Sequence, residues 1–306
     1  MFATIVMAFC FFTYAKGQVR VLEKDVLGKI KNGKTHVIVK SQVFPDEETY
    51  ADVFKKYFTI TQGVDVIAAD DVVGNLVAGD TYFSLEAEKI TSNYGTAIFM
   101  YLNLWQPTKK MLKDKKFKIN HEDALAHIQL SLDIDAVKDV YFESVSFNLD
   151  GDNHFYHWNP GLLKNYLQLL CTELKTGKKT DYHDDMTDKS RIKDLSTKTL
   201  YYPEDNLYKM GMFVKAGKTI DTKDLFDDYK FNYKVISDKE LGEKILKDDE
   251  QFYYFLFIRD SGSKLLLVVD SHTGDIIYSR FSSAVFGAKN VSEGDLKDLY
   301  KAANKN

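Results

Sequence analysis

Val53-Phe54-Lys55-Lys56-Tyr57 has a partner later in the chain, Leu225-Phe226-Asp227-Asp228-Tyr229. Each is followed by a β-like run, Phe58-Thr59-Ile60 in the first case and Phe231-Asn232-Tyr233 in the second. Asp65-Val66-Ile67 then stands opposite Lys234-Val235-Ile236. Next, Asp70-Asp71-Val72-Val73-Gly74-Asn75-Leu76-Val77 stands opposite Asp238-Lys239-Glu240-Leu241-Gly242-Glu243-Lys244-Ile245. Both stretches open on an Asp that can cap a helix and continue with apolar residues at helical spacing. An acidic turn follows in each, Gly79-Asp80 or Asp248-Asp249. An aromatic strand comes next, Tyr82-Phe83 or Phe252 to Phe257, and then a further strand, Ala97 to Trp105 or Lys264 to Val269. Upstream, Lys34 to Val39 parallels Lys198 to Tyr202, and each leads to a Pro and an acid, Pro45-Asp46 or Pro203-Glu204. The matched order predicts one unit used twice: strand, helix, strand, helix, strand, strand. The spacing is not constant, because the second copy carries extra residues before Phe226. The plain alternative is two unrelated α/β segments with similar punctuation.

The stretch between the copies is different. Asp123 to Leu132 ends in a strand-like run, and Val140 to Leu149 alternates apolar and polar residues as a half-buried strand does. Asp150-Gly151-Asp152-Asn153 reads as a turn. Pro160 then opens a helix over Gly161 to Lys175, with Leu162, Leu163, Tyr166, Leu167, Leu170 and Leu174 on one face and Gly177 just past its end. Thr180 to Lys193 is a hydrophilic loop and marks the boundary between lobes. At the far end, Leu265 to Val269 and Ile276 to Tyr278 flank a polar turn with Gly274, the pattern of a hairpin. A terminal helix follows from Ser292 to Ala303. The fold expected is α/β or α+β, with two related lobes, mixed sheets and short helices packed on them. The divisions are a leader at 1–17, a first lobe at 18–120, a connecting segment at 121–193 and a second lobe at 194–306.

The chain has 306 residues, 44% hydrophobic and 28% charged, which is ample for a large packed core. Its 19 Tyr and 21 Phe favour sheet, and with only 4 Pro and 17 Gly long disordered linkers are not expected. The net charge of -4 is spread along the chain, which argues against a nucleic-acid binder. Met1 to Ala15 is an uncharged apolar run, too short to span a bilayer, and Ala15-Lys16-Gly17 fits cleavage before Gln18. It lacks the basic residues that normally open an export signal. The expectation is an exported protein, periplasmic or extracellular, with no integral span in its mature form. A lipid anchor at Cys10 is disfavoured by Phe9 before it, and loss of the leader leaves Cys171 as the lone thiol.

One stretch gathers chemically useful side chains: Asp150, Asp152, His154, His157 and Trp158, just before the central helix. Its oxygens can hold calcium, and its imidazoles can hold zinc or pass protons. The spacing is neither that of an EF-hand nor that of a zinc-protease helix. The plain alternative is a polar turn and a helix cap with Trp158 packed beneath. His183 and Asp184 can complete a composite metal or hydrolytic site if the helix folds back, although an ordinary acidic loop is the simpler reading. Trp105, which ends a strand, can line a ligand surface or simply pack. No nucleophile elbow, Walker loop, dinucleotide fingerprint or Cys-x-x-Cys pair is present, and Cys171 reads as helix packing.

Asp150-Gly151-Asp152, the Gly161 to Leu167 stretch, and the Asp270 to Tyr278 ending resemble exported proteins of Bacteroidetes-type bacteria, a group with no established activity. The resemblance implies an exported bacterial protein and nothing about mechanism. Three functions stay open. The first is a non-enzymatic module that binds a small molecule or a protein, the second a metal-dependent hydrolase on the Asp/His cluster, and the third a structural or assembly module.

Overall fold

The computed structural model describes residues 18–39, 44, 46–72, 75–92, 95–114, 123–132, 155–180, 185–210, 215–259, 263–283 and 290–305. Two mixed sheets organise them. The first is built from β1 (Val19–Val21), β2 (Thr35–Val39), β3 (Val64–Ala68), β4 (Thr81–Ser92), β5 (Gly95–Trp105) and β6 (Ala124–Leu132), in the order β3-β2-β4-β5-β6-β1, with a short β7 (Phe155–Tyr156) also on β6. The second contains β8 (Met186–Thr187), β9 (Leu200–Pro203), β12 (Tyr233–Ile236), β13 (Tyr253–Arg259), β14 (Ser263–Asp270) and β15 (Ile276–Ser283), in the order β12-β9-β13-β14-β15-β8. β10 (Tyr208–Met210) and β11 (Lys215–Thr219) form a separate two-stranded ribbon.

The two sheets are wired alike. In the first, β2 is parallel to both β3 and β4, and the remaining pairs are antiparallel. In the second, β9 is parallel to both β12 and β13, and the remaining pairs are antiparallel. Register agrees as well. Thr35 faces Val64 and Thr81, and Leu200 faces Tyr233 and Tyr253. Each sheet also has an irregularity at the same step, between Leu104 and Trp105 in one and between Val268 and Val269 in the other.

The helices sit between and outside the sheets. α1 (Val26–Ile30), α2 (Glu47–Tyr57), α4 (Pro160–Thr176) and α6 (Asp238–Lys247) lie with the central core, α3 (Lys109–Asp114) against the far face of the first sheet, and α5 (Thr222–Leu225) and α7 (Glu293–Asn304) against the far face of the second. The central core joins Val37, Phe83, Leu102 and Leu104 of the first sheet to Tyr254, Leu256, Leu267 and Val269 of the second. An outer core holds Leu200, Tyr202, Phe255 and Val268 beneath Leu225 and Leu296. Positions that match in register therefore point opposite ways: Phe83 faces the partner sheet, and its counterpart Phe255 faces outward. The sheets stack front to back.

α4 explains the central layer. Asn159 caps its start, accepting from Leu162 N at 2.9 Å, Pro160 fills the first turn where no N–H is needed, and Gly177 ends it at φ 67. The helix is buried on nearly every side because a sheet lies on each. Each buried Leu there contributes roughly 1.5–3 kcal/mol. The expected helix, the terminal hairpin β14–β15 and the terminal helix α7 with its Ser292/Asp295 capping box are all present.

Some expectations meet a different outcome. The helix expected from Asp70 to Val77 is only a 3-10 turn at Ala69–Asp71 among the described residues, whereas its counterpart α6 is complete. Val72 and Asn75 are poor helix formers, and α6 has a Ser237/Glu240 capping box, whereas the turn at Ala69–Asp71 has no side-chain cap. The cap is Ser237, with Asp238 inside the helix. Several elements of the 121–193 stretch belong to the sheets themselves: β6 is an interior strand of the first sheet, and β8 closes the second. Residues 1–17, and the strand and turn expected at Val140 to Asn153, lie outside the described residues. No helix among the described residues is long and apolar enough to cross a membrane.

Candidate functional site: the seam at the ends of three parallel strands

β9, β12 and β13 run in the same direction, and their carboxyl ends meet at one edge of the second sheet. β9 runs into a 3-10 turn at Glu204–Leu207, β12 into Ser237 and the start of α6, and β13 ends at Arg259. The chain passes from β9 to β12 on one side and returns to β13 on the other, so the order reverses here. In open α/β sheets this is where a crevice forms at the strand ends. At these strand ends Asp205 lies within electrostatic reach of His157, Asp238, Glu204 and Arg259, and Asn206 bonds His157.

The connecting segment covers these strand ends with the bend before α4. His157 adopts φ 59, a left-handed conformation that is strained for a side chain of this kind. Its carbonyl accepts from Tyr166 OH at 2.8 Å, while its ring is buried. Nε2 lies 2.8 Å from Asn206 Oδ1, and Nδ1 lies 3.5 Å from Asp238 Oδ1. Asn159 adds a second tie, donating from Nδ2 to Asp238 Oδ2 at 2.7 Å and to Asp238 O at 3.0 Å. Close approach makes this possible: a Cβ at Gly161 would lie 2.1 Å from Gly242 O, so α4 and α6 touch backbone to backbone.

Five groups at the strand ends have capacity left over, among them His157 Nδ1 and Asp238 Oδ1, which are buried without a hydrogen bond although they lie 3.5 Å apart. Asn206 is 2% exposed, yet its Nδ2 has no hydrogen-bond partner. A buried donor left unsatisfied costs about 1–3 kcal/mol. Arg259 is buried and makes no ion pair among the described residues; it donates from Nη1 to Tyr208 O at 3.3 Å and lies over Tyr156 at 5.1 Å. Burial lowers its pKa, although a guanidinium keeps its charge at any physiological pH. The half-buried Asp205 makes no side-chain hydrogen bond or ion pair among the described residues. Burial raises its pKa, His157 opposes this, and Asp238 and Glu204 add to it.

The residues expected to form a site part ways. His157 is in the crevice, and Trp158 packs beside it, stacked on Tyr50 with centroids 5.5 Å apart. Asp150, Asp152, His154, His183 and Asp184 lie outside the described residues, so the composite calcium or zinc site is not assembled from described parts. Trp105 is fully buried, stacked on Tyr82 at 4.9 Å and donating from Nε1 to Ser84 Oγ at 3.0 Å; it packs as a core residue. Cys171 is buried in α4, donates to Tyr57 O at 3.4 Å, and has its pKa raised by burial. Among the described residues, the group whose ligand atoms lie close enough for a metal is Asp227, Asp228 and Glu293. It is largely exposed, and Asp228 is already bonded to Lys297 at 2.6 Å. Sequence reasoning missed Asp205, Asn206, Asp238 and Arg259. Their signal was positional: each follows or ends a strand of the second sheet.

A second polar surface lies on the far face of the first sheet. Ser84, Asn103 and His127 are buried in one cross-strand row that continues to Arg20, with Gln129 and Ser131 further along β6. His127 stacks on Tyr101 with centroids 4.2 Å apart. β7, the first described element after Asp150, Asp152 and His154, pairs with the end of β6.

No family model, curated protein or solved structure matches this chain.

Proposed function

We propose that the protein is a non-enzymatic binding module whose small ligand sits at the strand ends, on the seam between the lobes. One observation carries this reading: Asn206 Nδ2, Arg259 and Asp205 lie there with unmet bonding capacity, at the point where α/β sheets form ligand crevices. Binding is favoured over catalysis because His157 Nε2 is held by Asn206 and the ring is only 3% exposed, with Nδ1 facing Asp238 Oδ1 at 3.5 Å inside the fold. A general base needs a nitrogen within reach of substrate. The hydrolase alternative would draw on Asp150, Asp152, His154, His183 and Asp184. The same order, senses, register and irregularity in both sheets support the further reading that one unit was duplicated. The apolar run Met1 to Ala15 supports an exported location.

A thermal-shift panel of small polar compounds tests the binding reading. A ligand that binds only the folded chain raises its melting midpoint, by an amount that grows with concentration. The expected result is at least one such compound whose effect is lost in Arg259→Met. If every compound that binds acts equally on wild type and variant, the site lies elsewhere.

A further inference from the structure

The charges of the crevice narrow the ligand class, an inference that rests on the binding reading above. Asp238 Oδ2 is already engaged by Asn159, while its Oδ1 faces His157 Nδ1 at 3.5 Å without a hydrogen bond. Among the described residues, the groups with capacity left are one permanent cation, Arg259, one buried N–H donor, Asn206 Nδ2, the facing buried atoms His157 Nδ1 and Asp238 Oδ1, and the carboxyl groups of Asp205 and Glu204. A purely anionic ligand drawn to Arg259 would meet Asp205, Glu204 and Asp238. A purely cationic ligand drawn to those acids would meet Arg259. Like charges brought together without water are strongly unfavourable, so either ligand gives up much of what it gains. A molecule with both charges a few bonds apart satisfies both sides.

The donor geometry fits the same answer. A guanidinium binds a carboxylate through two parallel N–H bonds, and a neighbouring amide N–H can add a third. An ammonium carries three donors and no acceptor, which suits carboxyl groups otherwise lacking a partner. We infer that the crevice holds a small zwitterion of the α-amino-acid type, its carboxylate on Arg259 and Asn206 Nδ2 and its ammonium on Asp205, with Glu204 at the rim. The raised pKa of Asp205, caused first by burial, fits a carboxyl group that gains from an incoming positive charge.

The test uses the full chain with L-alanine, L-glutamate and L-lysine, followed by thermal shift and titration calorimetry. For whichever binds, the N-acetyl form removes the ammonium and the amide form removes the carboxylate. The expected result is that at least one amino acid binds and that each blocked form is at least about tenfold weaker, the equivalent of one well-made polar contact. Arg259→Met and Asp205→Asn should each weaken binding similarly, and the second keeps shape and volume if the first fails to fold. Blocked forms that bind as well as the parent would overturn the inference. So would a response to inorganic phosphate or ethylamine alone, lost in Arg259→Met, which would leave the crevice as a binding site for a singly charged ligand. No response to any of these probes would overturn the zwitterion and count against the binding reading too.

Discussion

Lys164 is fully buried in the middle of α4, between the two sheets. Its ammonium lies 2.9 Å from Asp248 Oδ2 and donates to Ile245 O at 3.1 Å, so it ties α4 to the end of α6. Removing one partner of a buried pair leaves a charge without compensation, whereas replacing the buried member with an apolar residue removes the problem. Asp248 is about two-fifths exposed, so water shares the pairing and the cost shrinks. Asp248 also sits at φ 56, a conformation that Asn tolerates. Asp248→Asn is therefore expected to cost about 1–2 kcal/mol, and Lys164→Met clearly less. Urea midpoints of the two variants decide it, and the reverse ranking would show that the ion pair itself stabilises the layer. The sequence could not announce Lys164, because a lysine on a leucine-rich helix reads as a solvated edge. The same blindness hid Asn206: one amide among many becomes informative only when its N–H is seen buried without a partner.

At the scale of elements, the sequence was most legible where local chemistry decides structure. Asn159-Pro160 and Gly177 bracket α4, the Gly274 turn joins β14 to β15, and Ser292 opens α7, all as their residue types require. It was least legible where distant elements decide. The crossing of α4 and α6 at Gly161 and Gly242 joins parts of the chain that are far apart in sequence. Two effects compete at Gly161. Alanine favours a helix over glycine by about 0.5–1 kcal/mol. A Cβ there, however, would sit 2.1 Å from a backbone oxygen, and overpacking of this kind costs about 1–3 kcal/mol. The steric term wins, because the obstacle is backbone and cannot rotate away. Gly161→Ala is expected to lower the urea midpoint, while Gly63→Ala, where a Cβ meets nothing within 4 Å, should not. Equal midpoints for both variants would mean that the helices part freely at this crossing. If they do part, Asn159 and Asp238 lose their alignment, and the crevice goes with them.

The front-to-back stack settles how the whole molecule unfolds. A two-lobed chain whose lobes kept separate cores would melt in two steps. Here the central core takes Leu102 and Leu104 from the first sheet, Leu256 and Leu267 from the second, and α4 between them. Neither sheet can bury that face alone. A fragment ending near residue 180 would keep α4 but expose its outer side, and a fragment starting near residue 185 would expose Tyr254, Leu256 and Val269. Apolar patches of that kind drive association rather than folding. The intact chain is therefore expected to unfold in one cooperative step, with calorimetric and van't Hoff enthalpies equal. Trp158 lies at the seam and Trp105 on the far face of the first sheet, so single-tryptophan variants report on two distant places. Their fluorescence midpoints should coincide with the loss of far-ultraviolet circular dichroism. Fragments 18–180 and 185–306 should each aggregate or stay unfolded when made alone, and should recover native dichroism when refolded together. A fragment 185–306 that folds alone, with a sharp transition of its own, would mean that the outer core beneath α7 suffices and that the shared layer is only a contact between finished lobes.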